Sequence, residues 1–294
     1  MIERYSVLDE AERSAYEKRY LNKEHEVKAA DGTIHKIGFS PQKLAEAVLT
    51  YRGAIRFSVE IFEKFIKGQP VDFEMSVDET ETPTDPTAHF FVATELLEAG
   101  VHFTSLAPRF TGEFQKGIDY IGDHAKFEQE FIIHAALADH FGYKLSIHSG
   151  SDKFSVFPVI GKYTQCRLHH KTAGTSWLEA VRLLAAAAPK FFREMYAFAK
   201  ANFSEATKYY HVGTNPDELP GIEKMEDSEL PKLLDHPGHR QLLHITYGLI
   251  LCAGDGKKFK QDIYRLLNEH EEQHYEFVRK HIGRHLAELG VPKA

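Results

Sequence analysis

Five short stretches alternate between apolar and other side chains, and each is followed by a helical pattern. That rhythm restricts the fold more than any other feature of the sequence. VDFEMSVDET (71–80), VHFTSLAP (101–108), KLSIHS (144–149), RLHHK (167–171) and YYHVG (209–213) show the two-residue period of a β-strand. Helical segments are expected to start near residues 86, 119, 153, 176 and 216. Parallel strands need a long crossover between them, usually a helix, so repeated strand, loop and helix predicts an α/β protein. The expected architecture is a TIM-type (β/α) barrel. Closure takes eight strands. Either weaker strands lie within residues 1–70, or the barrel is incomplete at its N-terminal side, open or completed by another chain in a homo-oligomer.

Residues 1–40 are polar, with a turn at Asp31-Gly32, and read as peripheral. Ser40 is placed to cap a helix that Pro41 opens, with Leu44, Ala47, Val48 and Tyr51 on one face, and a second helical pattern covers 54–66. The organisation expected is therefore a helical, peripheral segment over 1–70 and a metal-binding barrel domain over 71–294. Farther along, Ser176 and Glu179 have the spacing of a capping box, and Pro189 predicts a kink.

Charge excludes some functions. A net charge of −7 and no long Lys/Arg run give no footprint for a nucleic-acid backbone. Two cysteines, Cys166 and Cys252, make neither a zinc module nor a disulfide framework. No stretch reaches the ~18 apolar residues of a membrane span, and MIERYSVLDE lacks the apolar core of a signal peptide, so a cytoplasmic location is expected.

Strand parity locates candidate chemistry. If Phe73, Met75 and Val77 face helices, then Glu74, Ser76 and Asp78 face the opposite way. The same rule sends Ser146 and His148, then Arg167, His169 and Lys171, then Tyr209 and His211, to the interior. His124, His148, His169 and His211 are candidate ligands for a divalent metal, and imidazole suits Zn, Ni, Co or Mn. His170 and His244 stand in reserve. Asp78, Asp123 and Lys171 are candidate catalytic groups, Asp123 being equally placed to cap a helix. Ser149, Asp152 and Lys153 follow the third strand directly, and with Arg109 and Arg240 they are candidates for holding a substrate, its carboxylate falling to Lys153, Lys171, Arg109 or Arg240. A competing motif, His270-Glu271-Glu272-Gln273-His274, matches the H-E-x-x-H of zinc peptidases. Its histidines lie beside an apolar helical stripe that includes Leu266, Leu267, Phe277 and Val278, so packing explains them equally well.

The runs GIDYIGD (117–123), SIHSGSDKFS (146–155), HHKTAGTSWLEAVR (169–182), HPGHRQLLHITYG (236–248) and KHIGRHL (280–286) together resemble the tagaturonate epimerase family. The resemblance implies a divalent-metal-dependent epimerase that interconverts D-tagaturonate and D-fructuronate, with related members acting on the ketohexoses tagatose and fructose. The stereocentre concerned is β to the ketone, so its C–H proton is not acidified and enolisation cannot invert it. Transient oxidation would need a nicotinamide, and no G-x-G-x-x-G follows a strand here. Retro-aldol cleavage needs a Lewis acid with a base and an acid, which a histidine-rich metal site and Asp78 or Asp123 would supply. A sugar-acid-binding barrel without turnover is the non-enzymatic alternative.

Overall fold

The computed structural model describes residues 2–29, 31–172 and 174–292; Ala173, inside the KTAGTSWLEA run, lies outside them. The chain divides into two compact units, one formed by Met1–Gly112, Gly122–His148 and Val159–His170, the other by Glu113–Ile121, Ser149–Pro158 and Lys171–Ala294. Neither coincides with segments 1–70 and 71–294.

The first unit is α/β, as expected. Its sheet holds four parallel strands, β3 (Glu74–Val77), β4 (Ser105–Pro108), β5 (Lys144–Ile147) and β6 (Leu168–His170), lying side by side in sequence order. Helices Pro86–Glu98, His124–Phe141 and Phe157–Thr164 run between successive strands. Met75, Val77, Leu145 and Ile147 are buried, as the parity argument requires. Residues 1–40 contain more than was expected of them: β1 (Glu24–Lys28) pairs antiparallel with β2 (Ile34–Gly38). Only Val27 and Ile37 of this hairpin are well buried, which is too short an apolar pattern to read from sequence. Gly32, at φ +89°, supplies the positive φ of its turn.

Ser40 caps helix Pro41–Ile61 as expected, its hydroxyl accepting from the Lys43 N–H at 3.2 Å. The two helical patterns are one helix through Gly53, closing in a π-helical turn at Phe62–Ile66. Its apolar stripe, from Leu44 to Ile55, outweighs the cost of about 1 kcal/mol for a mid-helix glycine. Two buried histidines, His89 and His134, meet Nδ1 to Nδ1 at 2.8 Å, and His89 Nε2 lies 2.6 Å from the Tyr143 hydroxyl. Burial lowers both, His134 to about 4, so this chain of hydrogen bonds is held by neutral rings.

The second unit is helical. Leu178, Val181, Leu184, Phe192, Leu234 and Leu242 are fully buried in its core. The segment YYHVG is not a strand: Gly213 N–H donates to Gln115 Oε1 at 2.9 Å, and Thr214 is held by Gln241 Oε1. Side-chain amides, and not a neighbouring strand, hold the end of this loop. The capping box is also absent. Helix Thr175–Ala187 is preceded by Gly174 without a side-chain cap, and Glu179 is buried against Arg182 at 2.8 Å. Pro189 breaks rather than kinks the helix, opening a new one, Pro189–Ala201, where its missing N–H has no intrahelical partner to lose.

Candidate active site

One face of the parallel sheet carries Glu74, Asp78, Ser105, Ser146, His148 and His169. The register explains the grouping, since Glu74 pairs with Ser105 and Ser146 with His169. Glu74 is the hub. Its Oε1 lies 2.7 Å from His148 Nε2 and its Oε2 2.6 Å from His169 Nδ1, while the Ser105 hydroxyl donates to Oε2 at 2.5 Å. Burial pushes this carboxyl up, but hydrogen bonds from Ser105, His148, His169 and Ser146 outweigh it and hold the pKa at about 2. His148 Nδ1 lies 2.9 Å from Asp78 Oδ2, and the Ser76 hydroxyl donates to the other Asp78 oxygen. Asp78 is likewise held below the usual range, burial opposing and the contacts to His148 and Ser76 prevailing.

An ionised carboxylate only accepts hydrogen bonds. His148, facing a carboxylate through each nitrogen, must carry a proton on both, or a cation must take the place of one. With Asp78 fixing Nδ1–H, Nε2 of His148, Nδ1 of His169 and Glu74 form a mixed N/O donor set, and the arrangement has the outer carboxylate typical of metal-bound histidine. The chemistry of this donor set, nitrogen and oxygen together, is that of a transition-metal ligand set, but its donor atoms are not gathered within 4.8 Å of one another. Glu74 was not among the site candidates, although its parity placed it beside Asp78; emphasis on strand ends hid a residue at the start of β3.

The other candidates are placed as follows. Asp123 caps helix His124–Phe141, its Oδ1 accepting from Ala125 and Lys126 N–H at 2.9 and 3.1 Å, and His124 is exposed in the first turn. Arg109 donates to the Thr80 carbonyl, and Arg167 pairs with Asp139 at 2.7 Å. His211 belongs to the second unit, where its side chain is 86% exposed, with Nε2 3.9 Å from Glu113. His270 stands between helices Lys260–Glu269 and Glu271–Glu288 at φ −124°, so the H-E-x-x-H residues do not share one helix as that zinc site requires.

In the second unit, Lys153 is 0% exposed, and its ammonium donates to the Gln115, Ile118 and Ser151 carbonyls at 2.8, 2.6 and 2.9 Å. Arg240 is committed likewise, to Gly117 O, Leu234 O and, at 2.6 Å, Asp152 Oδ2. Both cations hold the protein's own acceptors. Asp152, His281 and His285 are the one group of three possible ligands among the described residues whose donor atoms lie within 4.8 Å of one another. His281 Nε2 lies 2.8 Å from Asp152 Oδ1 without an aligned hydrogen bond. His285, however, accepts the Asp152 N–H at 3.0 Å and contacts the His281 carbonyl at 2.9 Å, so both of its ring nitrogens are engaged by the protein's own backbone. Its signal was the i, i+4 pair in KHIGRHL. Ser149 accepts from Lys116 at 2.8 Å, and both line a cleft with Lys171, Trp177 and His244.

A parallel α/β unit with carboxylate and imidazole groups on one sheet face defines a class of protein suited to general acid/base or metal-assisted chemistry on a small polar substrate. The comparisons are more specific. The family model for UxaE tagaturonate epimerase matches residues 1–289, and the chain belongs to that family. It is 45% identical over 270 residues to the tagaturonate/fructuronate epimerase of Thermotoga maritima, covering 91% of this chain and 54% of that protein. The native crystal structure of fructuronate-tagaturonate epimerase UxaE from Cohnella laeviribosi superposes with a TM-score of 0.93 at 51% identity, over 98% of this chain and 59% of that one. Its complex with two glycerols gives 0.93 at 52%, over 99% and 60%. The chain thus spans between half and two-thirds of the length of these relatives.

Proposed function

We propose that the chain supplies the reaction face of an epimerase that interconverts D-tagaturonate and D-fructuronate. The observation that carries this is Glu74 between His148 and His169, with Asp78 behind His148, in a chain of this family. Glu74, His148 and His169 would hold a divalent cation such as Zn, Ni, Co or Mn. When bound, it supplies Lewis acidity that stabilises negative charge on a ketone oxygen. The protein's part is to orient and to move protons. Asp78 fixes the ring of His148 and is the better of the two acids for taking the hydroxyl proton of the inverting carbon, because Asp123 is occupied as a helix cap. Loss of that proton lets the bond between the inverting carbon and its neighbour α to the ketone break, leaving an aldehyde and an enediolate. Rotation of the aldehyde and re-addition, with return of the proton, gives the epimer.

The sequential parallel order of β3 to β6 supports reading the sheet as four consecutive strands of a (β/α) barrel. No helix among the described residues is long and apolar enough to cross a membrane, and Cys166 and Cys252 are not joined in a disulfide. The test is incubation of metal-loaded protein with D-fructuronate in deuterated water, followed by NMR. Tagaturonate without deuterium at the inverted carbon is expected. Deuterium there refutes the cleavage route, and absence of conversion refutes the function.

A further inference from the structure

We propose that a cleft within the second unit, walled by Trp177, Tyr210 and Tyr247 and edged by Lys116, Lys171 and His244, binds a hexuronate, its carbon skeleton against the aromatic wall and its carboxylate on the two ammonium groups. The inference rests on the sugar-acid reading of the substrate and gives that reading an anion site. Charge distribution is its first support. In a chain of net charge −7, this cleft gathers two lysines and has no Asp or Glu among its described lining residues. Of the candidates that sequence offered for a carboxylate, Lys153 and Arg240 are taken up by the protein's own carbonyls and by Asp152, whereas Lys171 stands at this cleft.

The cleft is also built rather than incidental. Trp177 donates its indole N–H to the Leu243 carbonyl at 2.8 Å, which fixes the ring plane, and Tyr247 stands 6.5 Å away, centroid to centroid. Rigid aromatic faces suit the C–H surface of a sugar, and ammonium groups suit its carboxylate. Lys116 is steered by the Ser149 hydroxyl at 2.8 Å, and the Lys171 carbonyl accepts the Gly150 N–H at 3.1 Å, anchoring that residue's backbone. His244 is only 7% exposed, and its Nδ1 is buried without a hydrogen-bond partner. Burial first, then Lys116, keep it neutral by lowering its pKa to about 4. A neutral imidazole with an unsatisfied nitrogen suits a sugar hydroxyl. Gly174 leaves room for this ring, since a Cβ there would come within 1.5 Å of His244 Nε2.

Trp177 is the chain's single tryptophan, so its fluorescence reports this cleft alone. Titration with D-fructuronate is expected to give a saturable change that weakens with added salt, and D-fructose a much weaker response. Lys116→Met and Lys171→Met should each weaken fructuronate binding about tenfold or more, as loss of a charge-assisted hydrogen bond implies, without altering fructose binding. Lys171→Arg should restore most of it, which a folding defect would not allow. Equal binding of acid and neutral sugar overturns the proposal, as does calorimetric binding of fructuronate with no Trp177 response, or no binding at all. NMR on the same samples separates the two readings: binding without conversion leaves the cleft standing and removes the epimerase, whereas conversion without a Trp177 response does the reverse.

Discussion

Replacing Lys153 by methionine tests whether a buried lysine is a structural clamp. The substitution keeps an unbranched apolar stem and removes the ammonium that joins the Gln115, Ile118 and Ser151 carbonyls. Each buried carbonyl left without a donor costs about 1–3 kcal/mol, so three make about 3–9 kcal/mol. Relief of the buried charge offsets part of this, and a net loss near the lower end, about 3 kcal/mol, is expected. The pH dependence is the sharper signature. Burial lowers the Lys153 pKa to about 7, with Asp152 and Asp119 opposing. Between pH 7 and the unfolded value near 10.5 the unfolded chain therefore binds a proton that the native one does not. Native stability from this group rises with pH through that window, by about 1.4 kcal/mol per unit, and K153M lacks the rise. Urea unfolding at pH 7 and pH 9 should show the gap between wild type and variant widening by about 2–3 kcal/mol. A gap that does not change with pH would refute the lowered pKa, and one below about 1 kcal/mol at pH 7 would refute the clamp.

Three further outcomes follow from the geometry. Asp78→Asn should lower divalent-metal affinity about 10–100-fold by disturbing the orientation of His148, whereas His211→Ala, at an exposed position, should leave it unchanged; isothermal titration with Zn or Mn checks both. Stability should fall as pH drops from 6.5 towards 4, because His89 and His134 are buried neutral and the unfolded chain takes up their protons first; a His89→Leu/His134→Leu variant should lose up to about 1.4 kcal/mol per pH unit of that slope for each histidine, read by urea midpoints. Gly174→Ala should displace His244, destabilising by about 1–3 kcal/mol in thermal unfolding and shifting Trp177 emission, while Gly53→Ala, exposed with open space at its Cβ position, should stabilise slightly.

What could be read from the sequence follows from how far each signal reaches. Strand parity is local and has a period of exactly two residues' spacing per face, so β3, β5 and β6 delivered Asp78, His148 and His169 to one surface from pattern alone. It failed for YYHVG, where alternation occurs in a loop whose end is held by Gln115 and Gln241, far away in sequence, and not by strand pairing. Asp123 carried two readings, and the structure gives it the local one, a cap. The network of Asp152, Glu179, Arg240 and His281 has no periodic signature, since its members come from a loop and three separate helices.

Lys153 and Lys171 show where sequence reasoning stops and what replaces it. Each is a lysine in a polar segment just past a strand, β5 or β6, and composition treats them alike. One is wholly buried with its three donors on backbone carbonyls; the other is exposed at a cleft with an aromatic wall. An ammonium can hold its own chain together or capture an anion, and the choice depends on which acceptors reach it first. Around Lys153 the carbonyls of 115, 118 and 151 converge because two loops cross there, and no local rule fixes that crossing. Near Lys171 no carboxylate is among the described residues that line the cleft, which leaves its ammonium facing the acceptor-poor side of the site. Which of the two roles a lysine takes is thus decided by the fold around it, and the lysine count of a sequence does not record it.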